Sequence, residues 1–175
     1  MDLKKELSSS QTLLLIMDSL EYNRDIVKNI KQLSGKKVCY VTLNKTHDSL
    51  KEIFKKSKVN MKNIVFIDAI SKTIKTVPRQ AEGTYFCSSP GALTEIAVTI
   101  SRLLNENFEY LIFDSLTNLL IYQNKTAVAK FVSSVINKIK AGNTKAVFYV
   151  LSVKEQSELI KQTETFVDKV IGIKE

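Results

Sequence analysis

Residues 110–120 read Tyr110-Leu111-Ile112-Phe113-Asp114-Ser115-Leu116-Thr117-Asn118-Leu119-Leu120. An unbroken apolar run ends in an aspartate and a serine, and leucines resume beyond them. A run this short and continuous suits a strand buried on both faces, the signature of a parallel sheet. Five more runs of the same kind follow the chain: Leu13–Met17, Val38–Leu43, Ile64–Ile67, Ala146–Leu151 and Val170–Ile173.

Segments with helical spacing lie between them. Ile26, Val27, Ile30 and Leu33 form one stripe, closed by Gly35 as a C-terminal cap. Leu50, Ile53 and Phe54 form a second, started by Thr46 or Asp48. Leu93, Ile96, Ala97, Ile100, Leu103 and Leu104 form a third. Val128, Phe131, Val132, Val135, Ile136 and Ile139 form a fourth, followed by Gly142. A weaker stripe runs through Leu159 and Ile160, with Glu155 and Glu158 in its first turn, where acids suit the helix dipole. Alternation of strand and helix predicts an α/β fold, a mostly parallel sheet with helices on both faces.

Residues 72–90 break the pattern. They are rich in lysine and threonine, contain Pro78, Gly83 and Pro90, and read as a loop insertion with a short strand at Thr84–Cys87. Residues 1–11 read as a polar tail or a short helix. A length of 175 residues fits one domain spanning 1–175.

Apolar residues make up 44% and charged residues 25%, ordinary globular usage. The longest apolar run is far below the ~20 residues a bilayer requires, and the acid-bearing start lacks a signal-peptide core. A cytoplasmic protein without membrane contact is expected. Cys39 and Cys87 form no CxxC pair and His47 is the only histidine, which excludes a Cys/His zinc site. Cys39 reads as a small buried hydrophobe, and His47 as a surface or helix-start residue.

The formal net charge is +8, yet only Arg24, Arg79 and Arg102 of the 26 basic residues are arginines. A basic balance is compatible with nucleic acid or acidic partners. Scarce arginine argues against sequence-specific readout. Lys45, Lys51, Lys55, Lys56, Lys58 and Lys62 read as a solvated helix face.

In an open α/β sheet, ligands bind beyond the carboxyl ends of the strands. The first such connection is Asp18-Ser19-Leu20-Glu21. A phosphate-binding loop needs G-x-x-x-x-G-K-[ST] there, with glycines that let N–H groups curl around phosphate and a lysine that neutralises it. This connection has neither, and it places two acids where a polyphosphate would sit. Gly35-Lys36-Lys37 has the tail of that motif but lacks the earlier glycine and precedes a strand.

Residues 110–120 resemble the Walker B strand of RecA-like ATPases, most closely the KaiC/RadA branch, in which an apolar strand ends in Asp-Ser. Val38–Asn44 with Thr46–Phe54 resembles that family's second strand and helix. Phe166-Val167-Asp168-Lys169-Val170-Ile171-Gly172-Ile173 resembles its late D-x-V-I-x-L strand. The resemblance spans residues 12–175 and implies a RecA-like core without a phosphate loop. It implies that Asp114 matches the magnesium-ordering aspartate and Ser115 the residue after it. Ser19 is the one hydroxyl available in place of the magnesium-binding one. The family's catalytic glutamate falls near Asn44, and an amide is no general base.

These residues point to a non-catalytic binding or regulatory module with no cofactor, whose partner is itself or a paralogous RecA-like ATPase. Two alternatives stand beside it. One is a residual binder of ATP and magnesium using Asp114 with Lys45 or Lys125. The other is a nucleic-acid accessory protein related to recombinases. Asp114 reads either as a strand-end relic or as a retained ligand. Asp18, Asp68 and Asp114 end three strands and are weak candidates for a cation site through oxygen ligands. Leu116, Leu119, Leu120 and Tyr122, with Ile121, extend the apolar run past the strand. Either residues 72–90 cover them, or they form an exposed patch that wants a partner.

Overall fold

The computed structural model describes residues 1–152 and 157–172. Its centre is an eight-stranded sheet in the order β4-β5-β3-β2-β6-β7-β1-β8. The strands are β1 (Thr12–Met17), β2 (Val38–Thr42), β3 (Ile64–Asp68), β4 (Gln80–Ala81), β5 (Thr84–Phe86), β6 (Tyr110–Asp114), β7 (Lys145–Leu151) and β8 (Lys169–Ile171). Every pairing is parallel except that of β4 with β5.

Five of the six apolar runs are strands buried on both faces of the sheet, and the sixth, β8, is a half-buried edge strand. Leu13, Leu15, Val38, Tyr40, Ile112, Val147 and Tyr149 face one way, against α1 (Leu3–Ser9), α2 (Tyr22–Gln32) and α3 (His47–Lys56). Leu14, Ile16, Cys39, Val41, Leu111, Phe113, Ala146 and Phe148 face the other way. There they meet α5 (Leu93–Leu104), α6 (Leu116–Tyr122), α7 (Lys125–Lys140) and α8 (Ser157–Glu164). Alternation along each strand thus divides the apolar interior into two layers, as the pleat requires.

Of the two readings of residues 1–11, the short helix holds, as α1. Leu3 and Leu7, four apart on α1, are fully buried, and Asp2 caps the helix by accepting from the Lys5 N–H. Of the two candidate starts for α3, Thr46 is the cap, accepting from the Ser49 N–H. The insertion at 72–90 begins just after the start of the one-turn α4 (Ser71–Ile74) and ends beyond the β4–β5 hairpin. The short strand expected at Thr84–Cys87 is β5. Glu155 and Ile173 lie outside the described residues.

Asp168 anchors the C-terminal strand to the sheet. Its Oδ2 accepts from the N–H groups of Gln11 (3.0 Å) and Thr12 (2.8 Å) and from the Thr12 hydroxyl (2.9 Å), and Lys140 pairs with its Oδ1 at 2.8 Å. Burial pushes the Asp168 carboxyl up; Lys140 and the Thr12 donors outweigh it and hold the group below its usual range. No helix among the described residues is long and apolar enough to cross a membrane.

Candidate functional site at the carboxyl edge of the sheet

The connection from β1 to α2 is the four residues Asp18 to Glu21. Asp18 Oδ1 accepts from the Leu20 N–H at 2.7 Å, closing the turn on itself. Ser19 is exposed, Leu20 is 91% exposed at the apex, and Glu21 pairs with Arg24 at 2.5 Å. Beneath the turn, Tyr22 joins α2 to the loop after β2. Asn44 Nδ2 donates to Tyr22 Oη at 3.2 Å, and Lys45 Nζ stands 4.9 Å from the Tyr22 ring centroid. Half-burial pulls the Lys45 ammonium below the usual lysine range.

Asp114 is fully buried at the end of β6. Thr42 is its register partner, so Tyr40, two residues back on β2, lies diagonally across the same face. Tyr40 Oη donates to Asp114 Oδ2 at 2.6 Å, and Asp114 Oδ1 is buried without a hydrogen-bond partner. Burial pushes the Asp114 carboxyl well above the usual carboxylate range, because nothing cationic offsets the cost of charge there. Tyr149 continues the buried polar set, accepting from Asn29 Nδ2 at 3.3 Å. Ser115 is equally buried, follows a cis peptide, and donates to Asn118 Oδ1 at 2.7 Å.

The three strand-end aspartates do not converge. Asp68 and Asp114 are separated by β2, about 9–10 Å across two strand spacings. Asp18 is exposed, and β7 stands between its strand and β6. Asp68 has a structural task. Its Oδ1 accepts from the N–H groups of Ile70 (2.9 Å) and Ser71 (2.8 Å), and its Oδ2 from the His47 N–H (2.9 Å) and the Ser71 hydroxyl (2.5 Å). Among the described residues, no group of three or more His, Cys, Asp or Glu is placed to hold a metal ion. His47 starts α3 as one reading had it, but it is not a surface residue. It is buried edge-on against Phe86, ring centroids 5.0 Å apart.

Residues 35–173 match the model of a family described as "Family of unknown function (DUF7504)". The chain belongs to that family. Among solved structures, the chain is similar to the KaiC-like protein PH0186 from the hyperthermophilic archaeon Pyrococcus horikoshii OT3. The TM-score is 0.68 at 12% identity, over 91% of this chain and 69% of that one. A likeness at that identity shows the fold, a RecA/KaiC-like core. No curated protein matches the chain.

Of the two readings of the apolar residues after β6, cover holds for Leu116 and Leu119 and exposure for Ile121 and Tyr122. Leu116 and Leu119 are fully buried, three apart on the inner face of α6, and they pack in the layer that α7 and β7 share. Cover comes from α7 and β7, in a core layer that also takes in Cys87 of the insertion. Thr117 Oγ1 ties α6 to the sheet by accepting from the Leu151 N–H at 2.9 Å. Leu120 is half-buried, while Ile121 and Tyr122 are exposed. Of the lysine set, Lys55, Lys56, Lys58 and Lys62 are exposed, and Lys45 and Lys51 are half-buried. Lys125 pairs with Glu158.

Sequence reasoning missed the polar set around Asp114. Its signal is present in the sequence: tyrosines inside two otherwise apolar strands, and Asn29 next to Ile30 on the inner face of α2. Both cysteines are buried, and burial pushes the Cys87 thiol up to about 11, so neither is a ready nucleophile.

Proposed function

We propose that this RecA/KaiC-like domain carries no nucleotide chemistry and acts as a binding or regulatory module, associating with a second copy or with an active RecA-like ATPase. The supporting observation is the β1–α2 connection. Four residues, closed by their own Asp18 and carrying an exposed leucine, stand where a phosphate loop would need eight with two glycines and a lysine. Asn44 donates to a tyrosine and supplies no base. Asp114 is fully buried and its Oδ2 is engaged by the Tyr40 phenol, which takes it away from the position of a solvent-facing magnesium ligand.

Association is supported by what this edge exposes. Leu20, Ile74, Ile121 and Tyr122 are large exposed hydrophobics, and all sit on connections leaving the carboxyl ends of β1, β3 and β6. In a mostly parallel sheet those connections share one edge, and apolar groups gathered there favour a protein partner.

A thermal-shift titration with ATP or ADP and magnesium tests the loss of nucleotide binding. Ligand at one hundred times its dissociation constant adds about 2.7 kcal/mol of stability. No shift at millimolar nucleotide is expected, and a clear one overturns the reading. Sedimentation of the domain alone and mixed with a RecA-like ATPase tests association; a monomer that binds no such ATPase refutes it.

A further inference from the structure

Two of the three arginines of this lysine-rich chain line one groove. The groove lies between α5 and the β4–β5 hairpin and holds a volume of about 480 Å³. Arg79 enters from the residue before β4 and Arg102 from the last turn of α5, and both are exposed. The Arg102 guanidinium lies 5.0 Å from the Tyr85 ring centroid, which orients its plane. Neither forms an ion pair among the described residues, whereas Arg24 is paired with Glu21. Arginine differs from lysine in its planar fork of five donors, shaped for a carboxylate or another oxyanion.

Two more lining groups narrow the ligand. Val98 is 61% exposed within the groove. Glu95 also lines it, with its carboxylate accepting from the Ser88 N–H at 2.8 Å. A polyanion with a charge at every step, such as a nucleic-acid backbone, meets repulsion at Glu95. A peptide can alternate, setting acidic side chains at the arginines and an apolar one on Val98. We propose that this groove binds a short segment of a partner protein in which acidic and apolar side chains alternate, through Arg79, Arg102 and Val98. The inference stands independently of nucleotide loss or association at the carboxyl edge.

The test uses the full chain and a fluorescent peptide alternating glutamate and leucine, read by anisotropy at low salt. Binding is expected, with amide shifts confined to residues 79–86 and 94–102. Arg79→Gln and Arg102→Gln are each expected to weaken it about fivefold, the upper range for one exposed charge pair. Replacing glutamate by glutamine in the peptide, or Val98 by Asp in the protein, weakens it likewise, and Lys130→Gln on the outer face of α7 changes nothing. Arg79 stacks on no ring, so its variant remains informative if Arg102→Gln lowers stability. The proposal is overturned if the glutamate peptide does not bind. Equal binding of the glutamine peptide, retention of affinity in Arg79→Gln, or tighter binding of a thymidine oligonucleotide to the same residues also overturns it.

Discussion

The Tyr40 phenol donates to the Asp114 carboxyl at 2.6 Å, and both groups are sealed from solvent. The pair turns this strand-end aspartate toward the core. Its second oxygen has no acceptor to meet and no donor to receive, so a proton on the carboxyl costs less than a charge.

Asp114→Asn keeps the shape and the Tyr40 contact while removing the titration. The folded-state pKa of Asp114 is raised, so its contribution to stability is complete below the unfolded value of about 3.9 and is lost as pH rises through the folded value. Relative to the asparagine variant, the parent should lose up to about 1.4 kcal/mol per pH unit across that window. Urea unfolding at pH 4, 6 and 8 measures it; parallel curves would contradict the neutral carboxyl.

Asp168→Ala should remove the side-chain acceptor of the Thr12 N–H at the start of a buried strand. A loss of about 1–3 kcal/mol follows from leaving that donor unsatisfied. The half-exposed pair with Lys140 adds little. Here the folded pKa is depressed, so the parent holds this stability above about pH 3.9 and loses it on acidification, while the alanine variant shows no such loss. Acid denaturation monitored by circular dichroism distinguishes the two.

Leu116→Ala and Leu119→Ala should each cost about 2–5 kcal/mol, as core truncations do. Leu20→Lys and Ile121→Lys should change stability by less than about 0.5 kcal/mol and weaken association. Chemical denaturation and sedimentation of the same four variants separate core from contact surface.

Gly172→Ala should be among the most damaging single-methyl additions. Gly172 has φ +126°, and a Cβ there would stand 2.3 Å from the Ile16 carbonyl oxygen. Strain and overlap together should cost at least about 2 kcal/mol, read as a lowered thermal midpoint.

Five strands were legible because two-sided burial leaves an unbroken apolar run, as in Val38–Thr42, and β8 was legible from Val170 and Ile171 although it is only half-buried. β4 was not, since two exposed residues carry no period. α1 was half legible: Leu3 and Leu7 have helical spacing, but polar neighbours hide a stripe of only two. The leucines after Ser115 read both ways because a short helix buries only one face. The spacing of Leu116 and Leu119 marked that face, and the exposed Ile121 and Tyr122 blurred it. Asp114 was found as a strand-end acid, but its Tyr40 partner lies 74 residues away and only the sheet register joins them.

The strand order has a further consequence for synthesis. β1 is made early, yet both of its ladder neighbours are β7 and β8, with Thr12 opposite Ala146 and Leu13 opposite Lys169. While the ribosome is still adding the middle of the chain, β2, β3 and β6 can already pair, but Leu13 to Met17 have no edge to join. A nascent chain therefore carries an unpaired, fully apolar strand until residues 145–151 clear the exit tunnel, and loop closure over that span slows its capture. During that interval the segment is the natural target for a chaperone or for a neighbouring nascent chain.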